Sequence, residues 1–161
     1  MHGLNIGQAD AHILCGAHRV NGNVKSLVTI LFGQGGTAVE VINDKALALP
    51  PLNMRLAREL VSRTRIHRQL KGFRNTAAVD LDAIAMTLIR VAQLVIDIPT
   101  ISQLDINPLL VTPENVVALD ARIVIDKEVK AADMIPFSHL VLRPYPERYV
   151  KKSKLGDGQE I

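Results

Sequence analysis

The stretch LDINPLLVTPENVVALDARIVI, Leu104 to Ile125, restricts the possible folds of this chain more than any other. Two apolar, β-branched runs flank Thr112-Pro113-Glu114-Asn115, a set of turn-forming residues, so the stretch reads as a β-hairpin. A turn at that position pairs Val111 with Val116, Asn107 with Asp120 and Asp105 with Arg122. Opposed residues share a face, and alternate residues along a strand share it too. One face therefore collects Asp105, Asn107, Asp120 and Arg122. The other, expected to be core, collects Leu104, Ile106, Pro108, Leu110, Val117, Leu119, Ala121 and Ile123. A slip of one residue would mix the two sets. Pro108 is a position where a bulge fits, because proline cannot donate to a ladder.

Asp105, Asn107 and Asp120 form a cluster of hard oxygen donors. Mg²⁺ is commonly held by one or two carboxylates, with water and substrate phosphate completing its shell. The same pattern also fits a turn at Asn107-Pro108 with a surface Asp105–Arg122 pair. On the pattern alone both readings stand.

The remaining sequence supplies the setting. The chain has 161 residues, enough for one domain with a core, and its 48% hydrophobic and 22% charged content is that of a globular protein. No apolar run approaches the roughly 20 residues of a membrane span, and the N-terminal residues lack the pattern of a secretory signal. A cytoplasmic location and no membrane partner are expected. The single cysteine, Cys15, excludes an internal disulfide and reads as a small buried hydrophobe. Arg55, Arg58, Arg63, Arg65, Arg68, Lys71 and Arg74 have only Glu59 against them within their segment, which is ordinarily a solvated helix face. Aromatic residues are 3% of the chain, too few for base-stacking platforms, so no nucleic-acid partner is expected. His12, His18, His67 and His139 are scattered and read as surface residues.

Periodicity predicts a buried strand at 27–32, a second at 37–42 and a short one at "HILC". It predicts a helix over 54–70, entered at Pro51 or Asn53 and closed near Gly72. A further helix over 80–96 is capped by Asp80, with Ile84, Leu88, Val91 and Leu94 or Val95 as its apolar stripe. The expected class is α/β, an α+β-like layer: helices packed on a small sheet, followed by an extended C-terminal arm. "FGQGGTAVE" lets backbone approach a phosphate closely, but it lacks the Lys-Ser/Thr ending of a P-loop and fits a tight turn equally well.

Taken together, "FGQGGTAVEVINDKALALPPLNMRLARELVSRTRIHRQLKGFR", "LDINPLLV" and "ALDARI" resemble the C-terminal half of the ATP-grasp domain of ADP-forming acyl-CoA synthetases. These are relatives of the succinyl-CoA synthetase β chain. The resemblance runs over 27–125, after a divergent segment 1–26 and before an arm or linker 126–161. It implies an ATP-dependent acid–thiol ligase, in which acyl-CoA, ADP and phosphate interconvert with free acid, CoA and ATP through an acyl-phosphate and a phosphohistidine. It implies Mg²⁺ and ATP/ADP as cofactors, with Asn107 and Asp120 at the ion and Asp105 nearby. Gly33, Gly35, Gly36 and Glu40 match the glycine-rich motif beside phosphate transfer. It also implies that nucleotide and acyl-CoA are engaged together with further synthetase domains or a sister subunit, that a fragment of this extent shows no turnover alone, and that its uncovered surface favours homo-oligomers. The tail "LVLRPYPERYVKKSKLGDGQEI" resembles the joint to an acetyltransferase in bifunctional protein acetyltransferases. The alternative it implies is a catalytically silent, acyl-CoA-sensing domain. The chain departs from the family where an E-L-x-x-G pattern is expected: here it reads His12-Ile13-Leu14-Cys15-Gly16.

Overall fold

A computed structural model of the chain describes residues 9–20, 23–35, 44–72 and 77–127. The predicted strand at 37–42, Gly36, Glu40, Arg74, His139 and the C-terminal arm lie outside the described residues.

Local chemistry sets the helix boundaries. Asn53 accepts a hydrogen bond from the Leu56 amide at 2.9 Å and opens α1, Met54–Ser62. Helix α2 is the single turn His67–Leu70, closed by Gly72 at φ 81°, a conformation glycine adopts without a Cβ penalty. Asp80 accepts from the Asp82 and Ala83 amides and opens α3, Leu81–Asp97. Of its predicted stripe, Ile84, Leu88, Val91 and Val95 are buried, so Val95 and not Leu94 completes the face.

The expected single helix over 54–70 is broken at Arg63–Ile66. Asp44 causes the break. Its buried carboxylate accepts from the amides of Arg65 at 2.7 Å and Ile66 at 2.8 Å, while the Thr64 hydroxyl donates to the Val61 carbonyl. These bonds replace i→i−4 partners and start a new turn.

The sheet contains β1 (Ala9–Val20), β2 (Asn23–Gln34), β3 (Lys45–Ala48), β4 (Ile101–Val111), β5 (Val116–Ala118) and β6 (Ala121–Ile125). All described pairings are antiparallel, in the order β3-β2-β1-β4-β5, with β6 also on β4. The short "HILC" strand is therefore part of a much longer one, and β1 lies in the middle of the sheet. Strand β3 went unpredicted. Ala11, Ile13 and Cys15 of β1, Ile30 and Phe32 of β2, and Leu104, Ile106, Leu109 and Val111 of β4 pack against Leu60, Ile84 and Leu88 in one core. On the opposite face of the sheet, among the described residues, His12, Leu14, Gly16, Thr29 and Leu31 are partly exposed.

The hairpin has the predicted register. Val111 pairs with Val116, Ile106 with Ala121 and Asp105 with Arg122. The Thr112 amide closes the turn on the Asn115 carbonyl at 2.8 Å. The predicted core face needs correction. Leu109 and Val111 are buried in place of Pro108 and Leu110. The cause lies on the β1 side: Ala11 pairs with Leu109 and Ile13 with Ile106, so His12 alone faces both Asn107 and Pro108. That bulge in β4 reverses its alternation. Val117, Leu119, Ala121 and Ile123, also expected in the core, are exposed, because the buried cluster centres on β1, β2, β4 and the helices.

Candidate functional site

The glycine-rich segment and the hairpin meet at Asn107. Gly35 donates its amide to the Asp10 carbonyl at 2.8 Å, which draws the end of β2 across β1. A Cβ on Gly35 would collide with the Ala11 carbonyl and lie 3.2 Å from Asn107 Oδ1. Only glycine permits this approach. Gly33 is just as crowded: a Cβ there would collide with the Asp44 carbonyl, which accepts from the Gln34 amide at 3.1 Å. On the other side of Asn107, its amide donates to the Asp120 carbonyl at 3.2 Å, and the Leu119 amide donates to the Pro108 carbonyl at 3.0 Å. Asp120 itself is exposed, in the gap between β5 and β6.

The fold thus brings Gly35, Asn107 and Asp120 together midway along the hairpin, with Gly33 one row away opposite His12. Asp105 lies two residues before Asn107, and its partner is not Arg122. His12 Nε2 approaches Asp105 Oδ1 at 2.8 Å, with the imidazole 12% exposed. His12 was expected at the surface. Its partner is 93 positions away in sequence, and the register of β1 against β4 was not readable from either strand alone. Among the described residues, no group of three or more His, Cys, Asp and Glu side chains converges on a point suited to a metal. A Mg²⁺ site does not need one, because one or two protein oxygens with phosphate and water suffice. The donors present, an amide oxygen and a carboxylate, are of the hard type that this ion takes.

Next to His12 on β1, the sheet face opposite the core dips into a groove of about 360 Å³ lined by Leu14, Gly16, Thr29, Leu31, Leu47 and Gln103. Cys15 also borders the groove, with its side chain in the core cluster. It is 1% exposed, and burial pushes its thiol up to about 12, so it is no thiolate nucleophile. The basic segment is solvated as expected where described. Arg58 forms a bidentate pair with Asp82 at 2.8 Å and Arg55 reaches Glu59 at 3.3 Å. Among the described residues no helix is long and apolar enough to cross a membrane.

Comparison with known proteins gives a consistent result. Residues 28–125 match a family model described as an ATP-grasp domain. The chain is 38% identical over 100 residues to acetate–CoA ligase [ADP-forming] I of Archaeoglobus fulgidus, covering 62% of this chain and 15% of that one. It is 29% identical over 96 residues to the β subunit of acetate–CoA ligase [ADP-forming] I of Pyrococcus furiosus, covering 60% and 41%. The chain therefore spans less than half the length of these relatives. Among solved structures, it superposes with a TM-score of 0.66 and 27% identity on the dinucleotide-forming acetyl-coenzyme A synthetase 1 of Ca. Korarchaeum cryptofilum. The match covers 73% of this chain and 53% of that one. That structure holds coenzyme A and Mg-AMPPCP, with a phosphohistidine segment pointing towards the nucleotide site.

Proposed function

Because the chain belongs to the ATP-grasp domain family, we propose that its sheet face opposite the core carries the Mg²⁺–phosphate end of a nucleotide site in an ADP-forming acyl-CoA synthetase. The approach of Gly35 to Asn107 Oδ1, with Asp120 in the gap between β5 and β6 bonded to the Asn107 amide, carries the reading. It places hard oxygen donors beside backbone stripped of side chains. Asn107 and Asp120 would hold the ion, with Asp105 beside them. Gly33, Gly35, Gly36 and Glu40 would belong to the glycine-rich motif beside the phosphates. The ion, when bound, neutralises charge on the phosphoryl group in transfer. The chain's own contribution is rigid placement: the Asn107–Asp120 ladder bond fixes the two donors relative to each other, and the close contact at Gly35 fixes the glycine strand relative to both. The bound Mg-AMPPCP in the Korarchaeum relative fits this assignment.

Calorimetry with Mg²⁺–ADP tests the reading directly. Asp120→Ala should weaken binding by at least about tenfold, as loss of a metal-site residue does. Equal affinity in wild type and variant would remove Asp120 from the site and the reading with it.

A further inference from the structure

Strand β6 lies along the outer side of β4. Among the described residues β4 is its one partner, and all five residues of β6 are exposed. Natural edge strands are blunted by lysine, proline or an inserted residue. Ala121–Ile125 has none of these, and Arg122 is its one charge. The core face is also unfinished here. Ile123 pairs with Leu104 and Ile125 with Ile101, so both isoleucines lie on the core side of the sheet. Leu104 and Ile101 are buried, whereas Ile123 is 49% and Ile125 47% exposed.

The backbone of β6 decides what can join it. The Asp120 carbonyl accepts from β4 at Asn107, the Asp126 amide donates to the Thr100 carbonyl, and the Val124 carbonyl accepts from Ser102 Oγ. Even-numbered residues thus direct their backbone groups to β4, and Ala121, Ile123 and Ile125 turn theirs outward.

We infer that β6 pairs with β6 of a second copy of this chain, antiparallel about a two-fold axis through Val124. Such an interface is isologous, so one segment must complement itself. Registers that join outward groups to outward groups pair odd numbers with odd numbers. Centred on Ile123, the pairing sets Asp120 opposite Asp126 of the other copy, a like-charge pair. Centred on Ile125, it sets Ile123 against Lys127. Centred on Val124, it sets Arg122 opposite Asp126, Val124 opposite itself and Ile123 opposite Ile125. Of these, that register alone matches opposite charges and lays the isoleucines of both copies side by side on the core face. Five residues a side fall far short of the roughly 20–30 of a stable interface, so the dimer is reversible.

Sedimentation velocity of the 161-residue chain over a concentration series tests the pairing, with amide hydrogen exchange as a second readout. Wild type should pass from monomer to dimer, and the Ile123 and Ile125 amides should become protected as it does. The Val124 amide, on the β4 side, should be protected at every concentration. Ile123→Lys changes an exposed position of the monomer and should weaken the dimer by at least about tenfold, as burying an unpaired charge does. Val124→Cys should cross-link two copies under oxidation, because opposed residues of a non-hydrogen-bonded pair have Cα atoms about 4.5 Å apart, within disulfide reach. Val117→Cys on β5 should not, and the buried Cys15 does not compete. A chain that stays monomeric with open Ile123 and Ile125 amides overturns the inference, as does a dimer that Ile123→Lys leaves intact. Protection of those two amides in a monomer means that the chain covers this edge itself, and overturns it too. Cross-linking of Val117→Cys as fast as Val124→Cys refutes the register.

Discussion

Asp44 shows how much one buried carboxylate can organise. Its side chain caps Arg65 and Ile66, and its carbonyl accepts from Gln34 at the end of the glycine strand. Asp44→Ala leaves two amides without their acceptor. It should cost about 2–4 kcal/mol, given charge-assisted bonds of about 1.5–3 kcal/mol each and partial replacement by water; urea denaturation measures it. Cys15 makes a second residue-level prediction: with its thiol pushed up to about 12 and its side chain buried, it should react with a thiol reagent only as fast as the chain opens. Legibility at this scale follows sequence distance. Asn53, Asp80 and Gly72 act on amides or carbonyls within three residues, and all were readable. Asp44 and His12 act across 21 or more positions, and neither was.

Among the elements, α3 was legible because it carries its own period, and the hairpin's register because its turn residues set it, while its core face was not. Leu88, fully buried on α3, should cost about 2–5 kcal/mol when truncated to alanine, read from the same denaturation curve. Strand β1 was harder to read. Its inward residues Ala11, Ile13 and Cys15 alternate with His12, Leu14 and Gly16, and an apolar Leu14 on the face opposite the core hides the alternation. The split helix was unreadable for a different reason: the residues from Arg63 to Ile66 carry no proline or glycine, and the break is imposed from β3's side by Asp44. Gly35→Ala belongs to this scale as well. The added methyl meets the Ala11 carbonyl and crowds Asn107, so the variant should lose stability and change the Asn107 side-chain amide signals together. A variant that melts earlier with unchanged Asn107 signals would separate the glycine strand from the site.

For the molecule as a whole, acid should weaken the fold in two windows. Burial, and then Lys71, hold His67 below its ordinary value of 6.5. The folded form therefore binds fewer protons than the unfolded one, and stability falls as pH drops through that value and levels off below the folded pKa. His67→Gln should remove this first loss from denaturation midpoints compared at about pH 7.5 and about pH 5.5. The hydrogen bond from Arg58 holds Asp82 below 3.8, so its contribution is complete above that value and disappears only in stronger acid. The pair is fully exposed, so salt should screen it. The bulge opposite His12 has a consequence that reaches across both sides of the sheet. From Leu104 to the bulge, even-numbered residues of β4 face the core; after it, odd-numbered ones do. A map of tolerated substitutions along 104–111 should therefore show a two-residue rhythm that skips a beat at Asn107–Pro108, apolar demand falling on 104 and 106 and then on 109 and 111. Deleting Pro108 would put the rhythm back in step with β1 and leave Leu109 and Val111 on the core side, while shifting their pairing with β5 by one residue, so the hairpin ladder and not the core would carry the cost.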